Sequence, residues 1–411
     1  MPLAVRCRPI AAPLRRAVTL VAATSLAVGT AVLAAPAAQA ADTVTPLPGV
    51  AGVADVATGG GRILVAAVDR LVIADSAGTV TGSLTLPGAY GIAPIPGTSR
   101  AYVSLRDTNQ VAEVDVARRR IVRRIDLGAT HPCPSEVVLS GGRVWVGYGC
   151  GSWGGGVLSV DAAAKTPVPV EVETGLYGAP SLAVANNVLA YGERGLSPAT
   201  ARVRTVGVNG ATTLRGTVPP NWGDASNLGD LALSPDGTLL VLAAGAPYRH
   251  VGYDTTTLAE VRSYGDFDPY PNSVAFSPDG RQLAAGRNGE PEVTVYDTAT
   301  ATARAEGNVT YPLELVPATL AFSGADVVGA VRNWSANTYF LWMVKGATLP
   351  GSAIAVTAPE GGGTALEPLT LTGRLTGADG SPLGAQQLTV TRQQEATGAA
   401  VALPAVTTAA D

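Results

Sequence analysis

The chain has 411 residues, which is long for one ordinary domain and suits a repeat array with an appended domain. Its formal net charge is −4, and the first 40 residues carry four arginines and no acidic side chain, so the remainder has a net charge of −8. An acidic balance without a basic face argues against a nucleic-acid partner.

The first 40 residues have the pattern of a secretory signal peptide. Arg15 and Arg16 end a positive region, residues 17–33 are apolar, and Ala38-Gln39-Ala40 supplies a small-residue cleavage pattern. The alternative is a transmembrane anchor, but Pro36 and the cleavage pattern interrupt the apolar run. We therefore predict a secreted, extracellular protein, which could associate with the cell surface. No later segment is long and apolar enough to predict an integral membrane span.

Two cysteines, Cys133 and Cys150, remain after this leader. An even pair in an oxidising compartment favours a disulfide. The alternative is a metal site, which needs more ligands, and His131 is the only histidine nearby. The sequence therefore predicts a disulfide and no metal site.

Short apolar runs that end in Asp and a turn residue recur along the chain. The residues that end them lie 40 to 48 positions apart: Asp75, Asp115, Asp161, Asn209, Asp254, Asp297 and Lys345. A second set of runs recurs upstream of each, for example at residues 272–275. Both sets give seven units, and this period indicates a repeat architecture.

Each unit has an all-strand pattern, shown most clearly by the sixth. Strand a is predicted at residues 273–276, b at 282–285, c at 292–296 and a weaker d at 302–306. Ser277-Pro278-Asp279-Gly280 predicts the tight a–b turn, because Pro presets φ and Gly accepts a positive φ. Four short antiparallel strands per repeat are typical of a propeller blade.

Residues 272–286 read Asn-Ser-Val-Ala-Phe-Ser-Pro-Asp-Gly-Arg-Gln-Leu-Ala-Ala-Gly, and residues 293–298 read Val-Thr-Val-Tyr-Asp-Thr. These runs resemble the YVTN-type propeller repeat. The resemblance implies an all-β fold, with a seven-bladed β-propeller over residues 41–350. It does not select a function, because related propellers include lactonases, lyases, quinoprotein-like enzymes and binding modules.

The last unit lacks a clear fourth strand. Residues 43–50, which precede the first strand a, could fill that place. We predict that this N-terminal strand closes the ring as the outer strand of the last blade, which would remove an open strand edge.

The period stops after Pro350. Alternating runs at 354–357, 369–376 and 387–391, with a Gly/Pro turn between the last two, predict strands. The pattern is similar to bacterial immunoglobulin-like repeats. Such a sandwich needs about 100 residues, so the resemblance implies a partial immunoglobulin-like β-sandwich over residues 351–411.

Propeller geometry sorts the connections onto two faces. The d–a and b–c connections lie on one face, here named the loop face, and the a–b and c–d turns lie on the other, the turn face. Aromatic side chains concentrated on loops suggest a binding surface, although each ring could instead only pack loops together. The candidate binding residues on the loop face are Tyr90, Tyr148, Trp153, Tyr177, Trp222, Tyr248, Asp266, Asp268, Tyr270 and Trp334.

The usual catalytic motifs are absent. The sequence has two histidines and contains no His-Glu-x-x-His, no Gly-x-Ser-x-Gly and no phosphate loop. Asp266-Phe267-Asp268 could contribute to a calcium site, but the remaining ligand spacing is missing. The sequence thus favours a non-enzymatic binding or scaffold protein, a monomer without cofactor, whose loop face binds an extracellular glycan, polymer or protein.

The main alternative is a propeller enzyme, a lactonase-like hydrolase or a lyase, with acidic residues and a metal at the central channel. Glu136, Asp230, Asp266 and Asp268 are its candidate acids. At the mouth of the channel, three or more carboxylate, Asn or His side chains converging within metal-binding distance would favour the enzyme, and an open, aromatic-lined funnel would favour binding. A purely structural spacer would have no concave site.

Overall fold

The computed structural model describes residues 42–347, apart from 152, 222, 223 and 268, together with the backbone of six strands between residues 352 and 407. The predicted signal peptide, residues 1–40, lies outside these described residues. In the part of the chain that is described, no helix is long and apolar enough to cross a membrane.

The unit formed by residues 40–348 consists of short β-strands with one 3-10 turn at Val208–Gly210. The strands are β1 (Thr43–Pro46), β2 (Asp55–Gly59), β3 (Arg62–Asp75), β4 (Val80–Pro94), β5 (Arg100–Leu105), β6 (Gln110–Asp115), β7 (Arg120–Asp126), β8 (Val137–Ser140), β9 (Arg143–Tyr148), β10 (Gly155–Asp161), β11 (Val170–Leu176), β12 (Ser181–Ala185), β13 (Val188–Gly192), β14 (Ala201–Val206), β15 (Thr212–Val218), β16 (Ser226–Leu233), β17 (Leu239–Ala246), β18 (Arg249–Asp254), β19 (Glu260–Tyr264), β20 (Pro271–Phe276), β21 (Gln282–Arg287), β22 (Val293–Asp297), β23 (Ala303–Gly307), β24 (Leu313–Leu315), β25 (Ala321–Ser323), β26 (Asp326–Asn333) and β27 (Thr338–Val344).

These strands form six antiparallel sheets, and the fold is an all-β propeller. Four sheets contain four consecutive strands each: β8–β11, β12–β15, β16–β19 and β20–β23. One sheet has six strands, β2–β7, and the last joins β1 to β24–β27. The first two predicted units thus share one sheet, and the predicted count of seven blades is not confirmed.

The turns form as their sequence predicts. In Ser277–Gly280 the Ser277 hydroxyl donates to Asp279 Oδ1 at 2.7 Å, and the Gly280 amide donates to the Ser277 carbonyl at 2.8 Å. Gly280 has a φ of 71°, a conformation that glycine adopts without strain. Residues 234–237 repeat the motif between β16 and β17, and there the Ser234 hydroxyl donates to Asp236 at 2.5 Å.

The predicted closure by the N-terminal strand is confirmed. β1 pairs antiparallel with β27, with Thr43 opposite Met343 and Pro46 opposite Phe340. β1 therefore forms the outer edge of the last sheet, and a strand from the start of the unit is joined to strands from its end.

The core lies between neighbouring sheets. β17 is buried along nearly its whole length, whereas an outer strand such as β11 is mostly accessible. Continuous burial arises because both faces of each sheet are covered by the adjacent sheets. Trp145 and Trp342 are almost completely buried within these layers. A single repeat would leave both of its apolar faces in water, so the stability of the unit comes from stacking the sheets.

The disulfide predicted between Cys133 and Cys150 is present, with a Cα–Cα distance of 5.2 Å. Cys133 lies in the connection from β7 to β8, and Cys150 lies between β9 and β10. The bond therefore joins a d–a connection to a b–c connection on the loop face.

The C-terminal segment contains three two-stranded antiparallel pairs. Its strands are β28 (Ser352–Thr357), β29 (Thr372–Gly377), β30 (Gln387–Leu388), β31 (Thr391–Gln393), β32 (Ala400–Ala402) and β33 (Val406–Thr407). β28 pairs with β29, β30 with β33 and β31 with β32. The strand predicted at 387–391 is divided between β30 and β31. An immunoglobulin-like sandwich is not confirmed.

Candidate functional site

The exposed aromatic side chains of the described residues share one location. All of them lie in b–c or d–a connections, and therefore on the loop face: Trp153, Tyr177, Tyr248, Phe267, Tyr270, Tyr311 and Trp334. An aromatic ring that stays in water does not gain the favourable free energy of burying its apolar surface. Their restriction to one face therefore calls for an explanation.

Near β18 and β20, the Tyr248 ring contacts two of the other exposed rings. The ring centroids of Tyr248 and Phe267 are 5.5 Å apart, and those of Tyr248 and Tyr270 are 5.7 Å apart. Phe267 remains 68% exposed and Tyr270 60%. Tyr248 and Tyr270 both have positive φ values, an uncommon conformation for residues with a side chain. We name Tyr248, Phe267 and Tyr270 the aromatic cluster.

A second pair of rings lies between β9 and β12. Trp153 and Tyr177 meet edge to face at 5.7 Å, and the Trp153 amide donates to the Tyr177 carbonyl at 3.0 Å. Trp153 is 68% exposed. The Cys133–Cys150 bond holds the same b–c connection, so the backbone that presents this pair is covalently restrained.

Trp334 lies between β26 and β27 on the same face. The Arg332 guanidinium stacks 3.7 Å from the centroid of Trp334 and 5.6 Å from that of Tyr339. Arg332 Nη2 also donates to Asn337 Oδ1 at 2.6 Å. Stacking on a guanidinium fixes one face of the Trp334 ring and leaves the side chain 55% exposed.

The other predicted binding residues have different placements. Tyr148 is 3% exposed and meets the His131 ring at 4.9 Å, so it belongs to the core and presents no free ring face. Tyr90 is half-buried beneath the Arg106 guanidinium at 5.0 Å. Asp266 is exposed. Trp222 and Asp268 lie outside the described residues.

Sequence reasoning considered Phe267 only as part of a calcium motif. Its ring is instead a member of the aromatic cluster. Among the described residues, no group of three or more His, Cys, Asp or Glu side chains could hold a metal ion.

Ionisable groups from several sheets converge around Arg194, which follows β13. Arg194 Nη2 donates to Glu136 Oε2 at 2.9 Å, and its Nε donates to the Ser181 hydroxyl at 2.8 Å. The Ser181 hydroxyl in turn donates to Asp230 Oδ1 at 3.4 Å. These bonds connect the sheets that contain β8, β12 and β16. Sequence reasoning did not single out Arg194.

The acids of this region also accept hydrogen bonds from neighbouring strands. Asp230 Oδ2 accepts from the Val274 amide at 2.9 Å, which joins β16 to β20. Asp55 Oδ2 accepts from the Ile92 amide at 2.7 Å. We name Asp55, Glu136, Arg194 and Asp230 the inter-sheet cluster, because its carboxylates are occupied in joining strands.

Burial sets the protonation of these acids. Burial raises the pKa of Asp230 to about 7, with Arg194 opposing and the charge of Glu136 adding to the shift. Burial also raises the pKa of Asp55 well above its usual range, and the Glu136 charge raises it further. The pKa of Glu136 is raised by burial against the attraction of Arg194. Glu136 and Arg194 nevertheless keep 25% and 29% of their side-chain surfaces accessible.

Comparison with protein-family models gives no match, so the resemblance to the YVTN-type repeat is not confirmed. Comparison with curated proteins gives no match either. Solved structures do match. A hydrazine synthase structure from Kuenenia stuttgartiensis is 16% identical, with a TM-score of 0.54 over 71% of this chain and 96% of that one.

Two further matches are propeller proteins. Hsv2 from Kluyveromyces lactis is 13% identical, with a TM-score of 0.50 over 79% of this chain and 99% of that one. A form of Hsv2 with loop 6CD replaced by a Gly-Ser linker has 13% identity and a TM-score of 0.51, over 75% and 94% of the two chains. At such identities the likeness shows the propeller fold alone.

Proposed function

We propose that this chain is a secreted, non-enzymatic binding protein whose loop face binds a glycan at the cell surface. One observation carries the proposal: the exposed aromatic rings of the described residues all lie on that face. Tyr and Trp rings offer large contact areas with few rotamers and a polar tip, which suits the flat apolar faces and hydroxyl groups of sugars.

The organisation of the rings supports this function. The aromatic cluster, the Trp153–Tyr177 pair and Trp334 give three separate platforms around the propeller. Each is held by a ring, a guanidinium or a backbone hydrogen bond, so little side-chain freedom is lost when a ligand stacks on it. Several platforms on one face suit a ligand with repeated units, such as a polysaccharide.

Two finer structural features belong to the proposal. The six-stranded sheet is interpreted as two blades, because β3 and β4 each contain an internal residue with positive φ, Val68 and Gly88, that divides the strand in two. This division gives eight short strands and a total of seven blades. Residues 351–411 are interpreted as an immunoglobulin-like spacer segment.

The alternative of a lactonase-like hydrolase or a lyase receives less support. Its candidate acids Glu136 and Asp230 are engaged with Arg194, Ser181 and backbone amides. Export itself is supported by the disulfide, which suits an oxidising compartment.

The test is co-sedimentation of the purified chain with insoluble cellulose, chitin and peptidoglycan, with and without calcium. A double variant, Trp153→Ala with Trp334→Ala, removes two platforms. Its matched control is Val168→Ala with Val208→Ala, which removes two exposed apolar side chains from c–d connections on the turn face. Thermal unfolding shows whether each variant folds.

We expect the wild type and the valine control to bind at least one polysaccharide, and the tryptophan variant to bind at least tenfold more weakly. Absence of binding by the folded wild type, or equal binding by the tryptophan variant, would contradict the proposal. Lactone and polysaccharide turnover assays would then test the enzyme alternative.

A further inference from the structure

A cavity of about 400 Å³ lies between strands β18 and β19 and a wall that includes Pro219, Pro220, Asn221 and Asp224. Its apolar lining comes from prolines, and Pro247 directly precedes Tyr248 of the cluster. The polar lining consists of Asn221, Asp224, Arg249, Tyr253 and Glu260. Its volume is in the range of sites that hold a small molecule or one unit of a larger one.

The charges in this cavity are unbalanced. Arg249 Nη2 lies 3.9 Å from Glu260 Oε1, a loose pair in which Arg249 is 38% and Glu260 48% exposed. Asp224 has no ion-pair partner among the residues that the structure describes. Two carboxylates therefore face one guanidinium, and the cavity carries an excess negative charge.

The environment of Tyr253 indicates that both carboxylates act on the same space. Burial raises the pKa of Tyr253 to about 12, and the charges of Glu260 and Asp224 add to this shift. The phenolic oxygen is therefore protonated at ordinary pH, and it can donate or accept a hydrogen bond. Carboxylates beside a hydroxyl form a suitable environment for an ammonium group.

We propose that the cavity binds the protonated amine of an amino-sugar unit, and that the aromatic cluster supports the neighbouring units of the same glycan. This inference rests on the proposed glycan-binding function and names the class of glycan. The excess negative charge of Asp224 and Glu260 favours the cation. Tyr248 is 36% exposed, follows Pro247 of the cavity wall in the chain, and contacts Phe267 and Tyr270.

The test uses two hexasaccharides that differ only in acetylation, one of glucosamine and one of N-acetylglucosamine. Calorimetric titration of the full chain is carried out at about pH 5.5, where the amines of the glucosamine oligomer are protonated. We expect the glucosamine oligomer to bind at least tenfold more tightly. Its affinity should fall between about 50 mM and about 500 mM NaCl, because salt screens exposed charges.

Two variants separate charge from stacking. The Asp224→Asn, Glu260→Gln double variant should reduce the preference to less than threefold without weakening the N-acetyl oligomer. Tyr248→Ala should weaken both oligomers. Glu306→Gln is the matched control, because it removes an exposed carboxylate of strand β23 that does not line this cavity.

Three results would overturn this inference and leave the proposed glycan-binding function standing. The first is equal affinity for the two oligomers, and the second is a preference that is unchanged in the double variant. The third is binding of a polysaccharide without binding of the glucosamine oligomer. If the folded chain binds neither oligomer and none of the insoluble polysaccharides, the proposed function fails with it.

Discussion

The carboxylates of the inter-sheet cluster and those of the turns show how one chemical group serves two purposes in this propeller. Asp230 is buried and accepts hydrogen bonds from other strands. Burial raises the pKa of Asp230 to about 7. Asp297, in the turn after β22, accepts from the Ala299 and Thr300 amides of its own turn. Hydrogen bonding to the Thr300 amide is the main reason that its pKa is lowered.

The difference lies in the range of the interactions. A turn carboxylate accepts hydrogen bonds from amides two or three residues away, and these bonds favour its charged form. An inter-sheet carboxylate loses water when the sheets stack, and its neighbours replace only part of that hydration. The first group stabilises the local hairpins, and the second links stability of the assembled ring to pH.

The largest expected effect is a loss of stability as the pH rises. The raised pKa of Asp230 means that the folded state holds a proton that the unfolded state has released, so stability falls as pH rises from about 4 to about 7. Between pH 5 and pH 8 the free energy of unfolding should fall by on the order of 3 kcal/mol from this group. Urea unfolding at several pH values measures the change.

Asp230→Asn should flatten this dependence, because the amide does not titrate in that range. Asp297→Asn should leave it unchanged, since the lowered pKa of Asp297 affects stability only on the acid side, below about pH 4. A wild-type stability that rises between pH 5 and pH 8 would contradict the assignment of raised pKa values to the inter-sheet cluster.

A smaller effect is expected when the cation of that cluster is removed. Arg194→Gln leaves Glu136 without its ion-pair partner and should lower the free energy of unfolding by about 1–3 kcal/mol at pH 8. The loss should be smaller at pH 5, where the raised pKa values favour neutral carboxyls. Arg281→Gln is the control: it breaks a pair in which Arg281 is 86% and Asp279 is 62% exposed, and it should change stability by less than about 0.5 kcal/mol. Equal losses of unfolding free energy in the two variants would contradict a larger contribution from the Arg194–Glu136 pair than from an exposed ion pair.

The smallest effect should come from a single turn. Asp297→Ala removes the acceptor for two backbone amides, a loss comparable with that of a helix N-cap, and should destabilise the unit by about 1 kcal/mol. Asp266→Ala, at an exposed loop position, should stay within about 0.5 kcal/mol of the wild type. Chemical unfolding at neutral pH distinguishes the two, and an Asp266 effect as large as that of Asp297 would show that turn geometry is not the cause.

The amino-acid sequence was sufficient for features with a local physical cause. The Ser277–Gly280 turn follows from the φ preferences of Pro and Gly, and the strands follow from apolar runs between such turns. The pairing of β1 with β27 could also be predicted. The last repeat lacked one strand, and a strand at the other end of the array belonged to no repeat, so the second could supply what the first lacked. The two cysteines that follow residue 40 left one possible disulfide between them.

The tertiary structure decided which side chains are exposed and which side chains from separate sheets meet. Tyr148 and Tyr248 both occur beside b–c connections, yet Tyr148 is 3% exposed and Tyr248 36%, because adjacent connections cover one and not the other. The meeting of Arg194 with Glu136 and Asp230 depends on how separate sheets stack, and no local pattern marks it. The sequence by itself determined the strands, turns and repeat, since these depend on near neighbours, and only the stacked sheets determined which side chains face water, ligand or one another.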